Sequence, residues 1–342
     1  MPPRTILITG ASGEMGHGLI SHLADTGNAR ILAVDLYPPE KELEAKCHKF
    51  FKGDVLDYPL LQSLTATYDL DAIYHLAAIL STKAERSPAL AHRVNVDGVI
   101  NLLEIAVSQA RQQGREIKFL YPSSIAIYGL PDLPAKEKAG RVREHEWLEP
   151  RTMYGVNKLY GENLGRYYAH YYRQLDTQTR AGGVDFRGIR FPGLISAATV
   201  PTGGTSDYAP EMLHHAAQNQ PYACFVREDT RIPFMTMPDG IKAILNLEAA
   251  PREKLTRLVY NIGAFNPSAG EALYAIRRAF PAAHVTFEPD LRRQGIVDSW
   301  PQDVDDSAAR ADWGWQPDYD LARAFDEYLI PAVKQRYLAT GH

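Results

Sequence analysis

The sequence predicts an α/β protein in which helices cover both faces of a doubly wound parallel sheet. Through the first half of the chain, short and almost continuously apolar runs alternate with longer stretches of helical period. That alternation is typical of buried parallel strands joined by crossover helices. A glycine-rich turn at Gly10–Gly16 joins the first apolar run to the first helical stretch. Repeated units of this kind build one parallel sheet between two layers of helices.

The predicted strands and helices follow one another in a regular order up to residue 190. Each strand is brief and rich in Ile, Leu, Val and Tyr. The strands are expected at Thr5–Thr9, Arg30–Asp35, Ala72–Leu76, Lys118–Tyr121 and Val184–Arg190. The helices that cover them are expected near Met15–Thr26, Ala89–Gln113 and Tyr154–Arg173.

Beyond residue 190 the alternation breaks, and prolines and glycines mark a long loop before a helix at Tyr208–Ala217. We therefore expect a main domain at 1–190 and a smaller, discontinuous lobe at 191–342. Some segments of that lobe, near 230–265, are expected to return to the main domain. The lobe would lie over the carboxyl ends of the strands, where α/β proteins bind their ligands.

Two further stretches interrupt the pattern inside the main domain. Leu130–Pro150 carries mixed charges, prolines and a glycine, and Gln174–Gly183 is polar. Both are expected to be surface excursions, and the sequence assigns neither a role.

Composition narrows the class of protein. Of the 342 residues, 45% are hydrophobic and 23% charged, so the chain can bury a sizeable core. The net charge of −4 and the absence of long Lys/Arg blocks disfavour nucleic acid as a partner. No apolar run resembles a signal peptide or a membrane span, so we expect no membrane partner and a cytoplasmic location. Cys47 and Cys224 match no metal spacing and are expected to be reduced thiols.

The glycine turn is the first candidate binding site. Glycines at positions 10, 13 and 16 allow a tight turn and bring backbone N–H groups close to a pyrophosphate at a helix N-terminus. A plain strand-to-helix turn is the alternative. Asp35 ends the second strand about 20 residues later, where an acidic side chain binds the ribose hydroxyls of a dinucleotide. Asp35 would repel a 2′-phosphate, and Leu36 offers no positive charge, so NAD is preferred over NADP.

Further residues expected to contact the dinucleotide lie at the ends of the next two strands. Asp54 and Val55 are placed to meet the adenine, although a simple turn there would look the same. Small residues after the fourth strand allow a close approach to the cofactor, and His75 is expected to be packed rather than catalytic. The positions expected to contact NAD are Gly10, Gly13, Glu14, Met15, Gly16, Asp35, Leu36, Asp54, Val55, His75, Leu76, Ala77 and Ala78.

Tyr154 and Lys158 form the candidate catalytic pair. They are four residues apart on a predicted helix and therefore share one face. A free tyrosine has a pKa near 10, so we expect the lysine ammonium and a positive nicotinamide ring to lower it and allow Tyr154 to act as a base. Ser124 follows the fifth strand and is expected to hydrogen-bond the reacting oxygen. Ser123 is the adjacent alternative for this role, and a serine that only caps or forms a turn is the other alternative.

These residues resemble the extended short-chain dehydrogenase/reductase family, whose signature is Gly-x-x-Gly-x-x-Gly followed by a Ser and by Tyr-x-x-x-Lys. The resemblance spans nearly the whole chain and implies a Rossmann-type fold, NAD, and catalysis by Ser124, Tyr154 and Lys158. It also implies a homodimer built on helices that include the one carrying Tyr154. Tyr154 and Lys158 would then also bind the nicotinamide end of NAD. The further cofactor positions that it implies are Asn95, Phe191, Pro192, Gly193 and Ile195.

The second half resembles the L-threonine 3-dehydrogenase branch of that family. The segments that carry this resemblance include Arg190–Ser196, Pro201–Ala209, Met235–Asp239 and Asp298–Pro301. It implies NAD-dependent oxidation of the C3 hydroxyl of L-threonine to 2-amino-3-oxobutanoate, with Tyr154 as general base. The positions that it places against a small 3-hydroxy amino acid are Ser81, Ser124, Tyr154, Gly204, Thr205, Ser206 and Trp300.

Three positions depart from the pattern of that branch. Ser206, Pro210 and Thr236 stand where a threonine, a valine and a tyrosine are expected. A dehydrogenase for a related 3-hydroxy amino acid or 3-hydroxy acid is therefore an alternative. A nucleotide-sugar 4-epimerase, which uses the same Ser/Tyr/Lys set and returns the hydride, is another. A non-catalytic NAD-binding regulator is the third, although the intact catalytic set argues against it.

Overall fold

The computed structural model describes residues 3–27, 29–176, 182–197, 199–201 and 203–339. The strands within these residues are β1 (Arg4–Thr9), β2 (Ala29–Asp35), β3 (Lys49–Lys52), β4 (Ala72–His75), β5 (Ile117–Ser124), β6 (Arg141–Val142), β7 (Val184–Phe191), β8 (Gly193–Ile195), β9 (Tyr222–Cys224), β10 (Phe234–Thr236), β11 (Val259–Asn261), β12 (Val285–Phe287) and β13 (Asp303–Val304). The α-helices are α1 (Glu14–Asp25), α2 (Lys41–Glu44), α3 (Tyr58–Thr67), α4 (Ser81–Arg86), α5 (Pro88–His92), α6 (Gly98–Gln113), α7 (Leu133–Ala139), α8 (Met153–His170), α9 (Tyr208–Ala217), α10 (Met237–Ala249), α11 (Ala269–Ala279), α12 (Leu291–Asp298), α13 (Ser307–Trp313), α14 (Leu321–Arg323) and α15 (Ile330–Ala339). Short 3₁₀ helices lie at Ile125–Ile127 and Arg252–Lys254, and π-helical turns lie at Arg93–Asp97 and Ala324–Leu329.

The predicted doubly wound parallel sheet is confirmed. Seven parallel strands lie in the order β11-β7-β5-β4-β1-β2-β3. The chain starts at β1, moves outward through β2 and β3, and then crosses to the other side of β1 to form β4. The reversal between β1 and β4 leaves a crevice at the carboxyl end of β1, where doubly wound proteins bind nucleotides. The glycine turn follows β1 directly.

Alternate residues of β1 serve two different cores. Ile6 and Ile8 belong to an apolar cluster on one face of the sheet, and Leu7 belongs to a cluster on the other face. Successive side chains of a strand point to opposite faces, so a strand covered by helices on both sides must be apolar throughout. The first four predicted strands of the main sheet are nearly continuous in hydrophobicity for this reason, whereas β7 buries Asp185, Arg187 and Arg190 in ion pairs.

A third apolar cluster holds the second half together. It includes Tyr208 of α9, Trp300 after α12 and Val304 of β13, together with Ile125 and Tyr128 from just beyond β5. Three two-stranded parallel ladders, β10-β8, β12-β9 and β13-β6, edge this cluster. Because β11 pairs with β7 in the main sheet, the second half of the chain also contributes to the apolar clusters that cover this sheet. The boundaries of the two predicted domains stay a prediction.

The prediction that 130–150 is merely a surface excursion is wrong. Leu130 and Val142 are completely buried, and the segment folds into α7 and β6. Most of its charged residues are exposed, but Lys136 and Glu144 are buried together with single apolar side chains, so its composition conceals its packing. Of the other excursion, Gln174–Gly183, residues 177–181 lie outside the described part of the chain.

Two expectations from composition can be compared with the structure. Cys47 and Cys224 are both free thiols, as expected, and burial raises the pKa of each to about 11. Among the described residues, no helix is long and apolar enough to cross a membrane.

Candidate active site

At two positions of the turn after β1, the surrounding backbone leaves no room for any residue larger than glycine. Gly10 adopts a left-handed φ of 69°, and a Cβ there would lie 2.6 Å from the Ala77 nitrogen. A Cβ at Gly16 would lie 2.5 Å from the carbonyl oxygen of Ala11. Helix α1 then begins at Glu14 without a side-chain cap, so the N–H groups of its first turn are left for an anion. The residues present therefore fit a pyrophosphate.

Asp35 is fixed to this turn at the end of β2. Its carboxylate accepts hydrogen bonds from the Ser12 backbone nitrogen at 3.0 Å and the Tyr37 backbone nitrogen at 3.2 Å. The Ser12 hydroxyl closes the link by donating to the Tyr37 carbonyl oxygen at 2.6 Å. Leu36 is half-exposed beside it. The geometry gives the acidic side chain a set direction at the edge of the crevice, as a ribose-binding residue needs.

Asp54 and Val55, the next two predicted cofactor positions, make contacts within the protein. Asp54 accepts a hydrogen bond from the Leu56 nitrogen at 3.0 Å, which is the turn that the sequence left open as an alternative. Val55 is 5% exposed and packs close to Gly98, where a Cβ would lie 2.8 Å from its side chain. Any contact of Val55 with adenine would involve the small part of its side chain that remains exposed.

His75 is a packed histidine, as expected. Its Nδ1 lies 2.8 Å from the Thr9 hydroxyl, and burial, helped by the charge of Lys158, lowers its pKa to about 3. It is therefore neutral at physiological pH. Leu76, Ala77 and Ala78 follow it as partly buried residues that line the carboxyl end of β4.

Asn95 holds the segment that follows β4 by two hydrogen bonds to the backbone of Ile79. Its amide oxygen accepts from the Ile79 nitrogen at 2.7 Å, and its amide nitrogen donates to the Ile79 carbonyl at 3.0 Å. Asn157 of α8 lies 3.4 Å from the same amide nitrogen. Asn95 thus ties the segment after β4 to the helix that carries Tyr154.

The remaining predicted cofactor positions lie where β7 passes into β8. Phe191, Pro192, Gly193 and Ile195 are all buried. The Gly193 nitrogen donates to the carbonyl of Pro233 at 3.0 Å, which fixes this run against β10.

The three predicted catalytic residues come together at the carboxyl end of β5. Thr152 caps α8, so that Tyr154 and Lys158 lie on its first two turns, and Ser124 is the last residue of β5. Ser124 is close enough to Tyr154 to favour its ionised form and so to oppose the rise of its pKa. The Lys158 ammonium lies 5.6 Å from the centre of the Tyr154 ring and donates to the Pro122 carbonyl at 2.6 Å. A hydroxyl donor, a phenol and a cation therefore share one small volume.

The expected lowering of the Tyr154 pKa requires the nicotinamide ring as well as Lys158 and stays a prediction, because the protein alone shifts this pKa the other way. Burial raises the pKa of Tyr154 to about 12, and Ser124 opposes this only in part. Burial also lowers the pKa of Lys158 to about 8, against the attraction of Glu162. Both groups are held toward their neutral forms, because desolvation outweighs the partners that the chain supplies.

Sequence reasoning missed a buried polar network beneath this site. Glu162 lies one turn beyond Lys158 on α8 and accepts from the Ser123 hydroxyl at 2.5 Å and from Arg190 at 2.9 and 2.7 Å. Arg190 also donates to the Tyr128 hydroxyl at 2.9 Å. Ser123 is therefore a partner of Glu162, and Ser124 is the serine at Tyr154. The spacing of four between Lys158 and Glu162 was the available signal.

Hydrogen bonds join α4 to the loop that carries Gly204 and Thr205. The Thr205 hydroxyl donates to the Ser81 hydroxyl at 3.1 Å, and Thr82 donates to the Gly203 carbonyl at 3.0 Å. Helix α4, which begins at Ser81, packs on α8. Its Glu85 accepts from the Met153 nitrogen at 2.7 Å.

Two residues that the sequence did not single out fix the loop that carries Gly204 and Thr205. Asp207 accepts from the Gly204 nitrogen at 2.6 Å, and Arg293 of α12 donates to the Gly204 carbonyl at 2.9 Å. Ser206 is partly buried in this loop. Trp300 is 4% exposed and belongs to the third apolar cluster, against which Tyr154 also packs.

The departures at 236 and 210 have structural explanations. Thr236 is fully buried and caps α10, where its hydroxyl accepts from the Asp239 nitrogen at 3.4 Å. It also pairs with Ile195 in the β10-β8 ladder. Pro210 lies in the first turn of α9, where no intrahelical N–H donor is lost. Each residue suits the element that it occupies.

Comparison with known proteins gives a consistent result. The NAD dependent epimerase/dehydratase family matches residues 6–263. The mitochondrial L-threonine 3-dehydrogenase of Bos taurus is 36% identical over 317 residues, which cover 92% of this chain and 79% of that protein. A solved L-threonine dehydrogenase from Clostridium difficile is 34% identical with a TM-score of 0.85, covering 98% of this chain and 99% of that one. A solved monomeric L-threonine 3-dehydrogenase from a metagenome is 37% identical with a TM-score of 0.84, covering 97% and 99%.

Proposed function

The chain belongs to the NAD-dependent epimerase/dehydratase family, and from that membership we propose that it oxidises the C3 hydroxyl of L-threonine to 2-amino-3-oxobutanoate. It is an NAD-dependent oxidoreductase. The observation that carries the proposal is the placement of Tyr154 and Lys158 on one face of α8, with the Lys158 ammonium 5.6 Å from the Tyr154 ring and Ser124 at the adjoining carboxyl end of β5. This arrangement serves removal of a hydroxyl proton.

Bound NAD supplies the hydride acceptor and a positive ring that favours a phenolate nearby. The chain's own residues handle the proton. Tyr154 takes the proton of the C3 hydroxyl, and Ser124 holds the same oxygen by its hydroxyl. Lys158, fixed by the Pro122 carbonyl at 2.6 Å, supplies positive charge behind the phenol and a donor for the nicotinamide ribose.

The fixed carboxylate of Asp35 supports NAD rather than NADP as the cofactor. It is held by two backbone N–H groups, so it cannot turn away from a 2′-phosphate. Leu36 beside it carries no positive charge that would attract such a group. Repulsion between the two anions would make NADP the weaker ligand.

The loop of Gly204, Thr205 and Ser206 supports a small polar substrate. The hydroxyl groups of Thr205 and Ser81 lie 3.1 Å apart, and Ser81 begins α4, which packs on the helix that carries Tyr154. Such hydroxyls suit the carboxylate and amine of an amino acid. Thr236 lies in a helix cap, so the departure there leaves this set of hydroxyls intact.

The proposal is tested by the formation of NADH with L-threonine, its stereoisomers, L-serine and simple 3-hydroxy acids. We expect L-threonine to give the highest kcat/KM. A Tyr154→Phe variant should lose about 10²–10⁴-fold in kcat while its Kd for NAD stays the same. Tyr160→Phe, on an exposed face of the same helix, is the matched control and should keep full activity.

Other outcomes identify the alternatives. Activity with another 3-hydroxy acid and none with L-threonine would transfer the reaction to that substrate. Interconversion of a UDP-sugar without net NADH would identify an epimerase. NAD binding with no turnover of any of these would point to a regulator.

We further propose that the protein is a homodimer in a reducing compartment, the cytoplasm. Val156, Tyr160 and Tyr167 on α8, and Tyr171 directly after it, expose between 41% and 50% of their surface. The spacing of four and seven residues places the first three on one stripe of the helix. An exposed apolar stripe of this kind is typical of a protein interface. The two free thiols support the proposed location.

A further inference from the structure

Lys136, in the segment 130–150, is a buried cation to which the proposed reaction assigns no role. It lies on α7, is 4% exposed, and donates through its ammonium to the carbonyl oxygen of Val297 at 3.1 Å. We propose that Lys136 is a positioning residue that holds Trp300 in place for substrate binding. The proposal rests on the function proposed above and on the expected place of Trp300 among the substrate-binding residues.

The geometry links Lys136 to Trp300 through a single atom. The carbonyl oxygen of Val297 also accepts the backbone N–H of Trp300, at 3.2 Å. The carbonyl oxygen of Ser299, two residues later, accepts the Leu130 nitrogen at 2.8 Å. The turn between α12 and Trp300 is therefore held by two donors from the same segment. Both donors precede the catalytic helix in the chain and reach a turn more than 160 residues later.

The charges around Lys136 indicate that its partner is this carbonyl rather than a carboxylate. Asp298 is close enough to favour the ammonium, but its two oxygens bind Arg227 at 2.9 and 3.0 Å. Asp229 and Arg227 face the ammonium from farther along the chain, with opposite effects. The end of α12 carries the negative pole of the helix dipole, which stabilises a cation there.

A role in packing alone would not call for a charge at this place. Burying an ammonium costs free energy, and burial lowers the pKa of Lys136 to about 8. An apolar side chain of similar length would fill the same volume without that cost. A charged donor does more, since it fixes the direction of one carbonyl and with it the adjoining N–H of Trp300.

The test is Lys136→Met, which keeps the length of the side chain and removes the donor. We expect KM for L-threonine to rise about tenfold, the loss of one charge-assisted hydrogen bond, while kcat and the Kd for NAD change less than about threefold. Lys136→Arg should restore most of the lost affinity. Lys138→Met, at an exposed position of the same helix, is the matched control and should behave as the wild type.

A double-mutant cycle shows whether Lys136 acts through Trp300. In a Trp300→Phe background, Lys136→Met should add little to KM, because the residue that it positions is already altered. Full additivity of the two substitutions, or an unchanged KM in a folded Lys136→Met protein, would overturn the proposal.

A measurement without turnover separates this proposal from the proposed function. Hydrogen exchange should become about tenfold faster in peptides covering 297–301 of the Lys136→Met protein and stay unchanged in α8. If L-threonine is not oxidised by the wild type, the proposed function fails, and the exchange result still decides whether Lys136 holds this turn. Two results contradict the role of Lys136: exchange that becomes faster over the whole chain, and exchange at 297–301 that does not become faster.

Discussion

Tyr154 and Lys158 lie on one face of α8, and burial moves their pKa values in opposite directions. The pKa of Tyr154 rises to about 12 and that of Lys158 falls to about 8. Burial in the protein alone disfavours both the Tyr154 phenolate and the Lys158 ammonium. A positive nicotinamide ring would reverse the balance at Tyr154, so the catalytic base would be formed only when the oxidised cofactor is bound. An unbound enzyme then carries no reactive phenolate.

The buried Lys158 should destabilise the folded protein. Its folded-state pKa lies below the ordinary value of 10.5, so below about pH 8 the fold must bury a charge that the unfolded chain keeps in water. We expect Lys158→Met to raise the free energy of unfolding at neutral pH by about 1–3 kcal/mol and to abolish activity. Urea denaturation and NADH formation measure the two effects.

The pH dependence supplies the control for Lys158. Between about pH 8 and 10.5 the unfolded state binds the extra proton, so the wild type gains stability and the difference from Lys158→Met shrinks. Lys83→Met, at an exposed position on α4, should show no such dependence. A wild type that is more stable than Lys158→Met at every pH contradicts the prediction.

Glu14 is an acidic residue at the mouth of the pyrophosphate site. It is the first residue of α1, accepts a hydrogen bond from Thr199, and has its pKa raised by burial and by Asp207. Its carboxylate would repel the phosphates of NAD. We expect Glu14→Gln to tighten NAD binding about three- to tenfold at low ionic strength, measured by calorimetry.

The advantage of Glu14→Gln should depend on pH. A raised pKa means that Glu14 is partly protonated in mildly acidic solution and then resembles Gln. The variant should therefore gain less at about pH 5 than at about pH 8. Glu44→Gln, exposed on α2, should leave the Kd unchanged. Weaker NAD binding by Glu14→Gln would mean that the carboxylate serves the site by holding Thr199.

Single residues were predicted best where a short motif fixes their surroundings. The glycine turn, Asp35, and the set Ser124, Tyr154 and Lys158 were singled out from spacing within one or two elements, and their roles stay predictions. Glu162 and Arg190 lie on different elements, so their pairing requires the tertiary fold. The effect of burial on the Tyr154 pKa could not be predicted, because the pattern shows which charges are close but not how much water burial removes.

At the scale of elements, glycines determine how closely α8 approaches the sheet. A Cβ at Gly161 would lie 2.2 Å from the Tyr121 hydroxyl, and one at Gly165 would lie 2.2 Å from the Phe186 ring. Both aromatic side chains are almost completely buried on β5 and β7. The helix that carries Tyr154 and Lys158 can therefore sit at its present depth only because these positions lack a side chain.

Gly161→Ala should push α8 outward and disturb the catalytic pair. We expect a loss of about 1–3 kcal/mol in the free energy of unfolding and a fall in kcat of about tenfold or more, because small displacements of reacting groups are costly. Gly295→Ala is the matched control. Gly295 lies in α12 with open space around it, so the alanine should stabilise the protein by about 0.5–1 kcal/mol. Equal behaviour of the two variants contradicts the argument.

The strands predicted for the first half match the structure to within a few residues, whereas β3 and α3 were not predicted and 130–150 was predicted to be only a surface excursion. Strands β1, β2 and β4 are buried on both faces and carry an almost continuous apolar signal. Segment 130–150 makes its buried contacts with isolated residues such as Leu130 and Val142. Isolated apolar residues among charges have no period, so no pattern distinguishes them from a loop.

At the scale of the whole molecule, the site lies where three apolar clusters meet the edge of one sheet. The sheet has helices on both faces, and its order reverses next to the glycine turn. The third cluster brings Trp300 from the second half of the chain to the side of Tyr154. The location of the site follows from this topology, which alternation in the sequence predicted. The order of contacts in the second half has no comparable signal, because its strands are two or three residues long.

The exposed stripe of α8 makes assembly a prediction about the whole molecule. Tyr160 is 50% exposed on the helix whose opposite face carries the buried Lys158 and Glu162, so an interface there would hold the catalytic helix from outside. We expect the wild type to have the mass of a dimer by light scattering. Tyr160→Glu should give a monomer, because a carboxylate on each copy would be buried against the partner. Tyr274→Glu, at a residue 73% exposed on α11, should remain dimeric. A monomeric wild type would place this chain with the monomeric relative and leave the stripe in solvent.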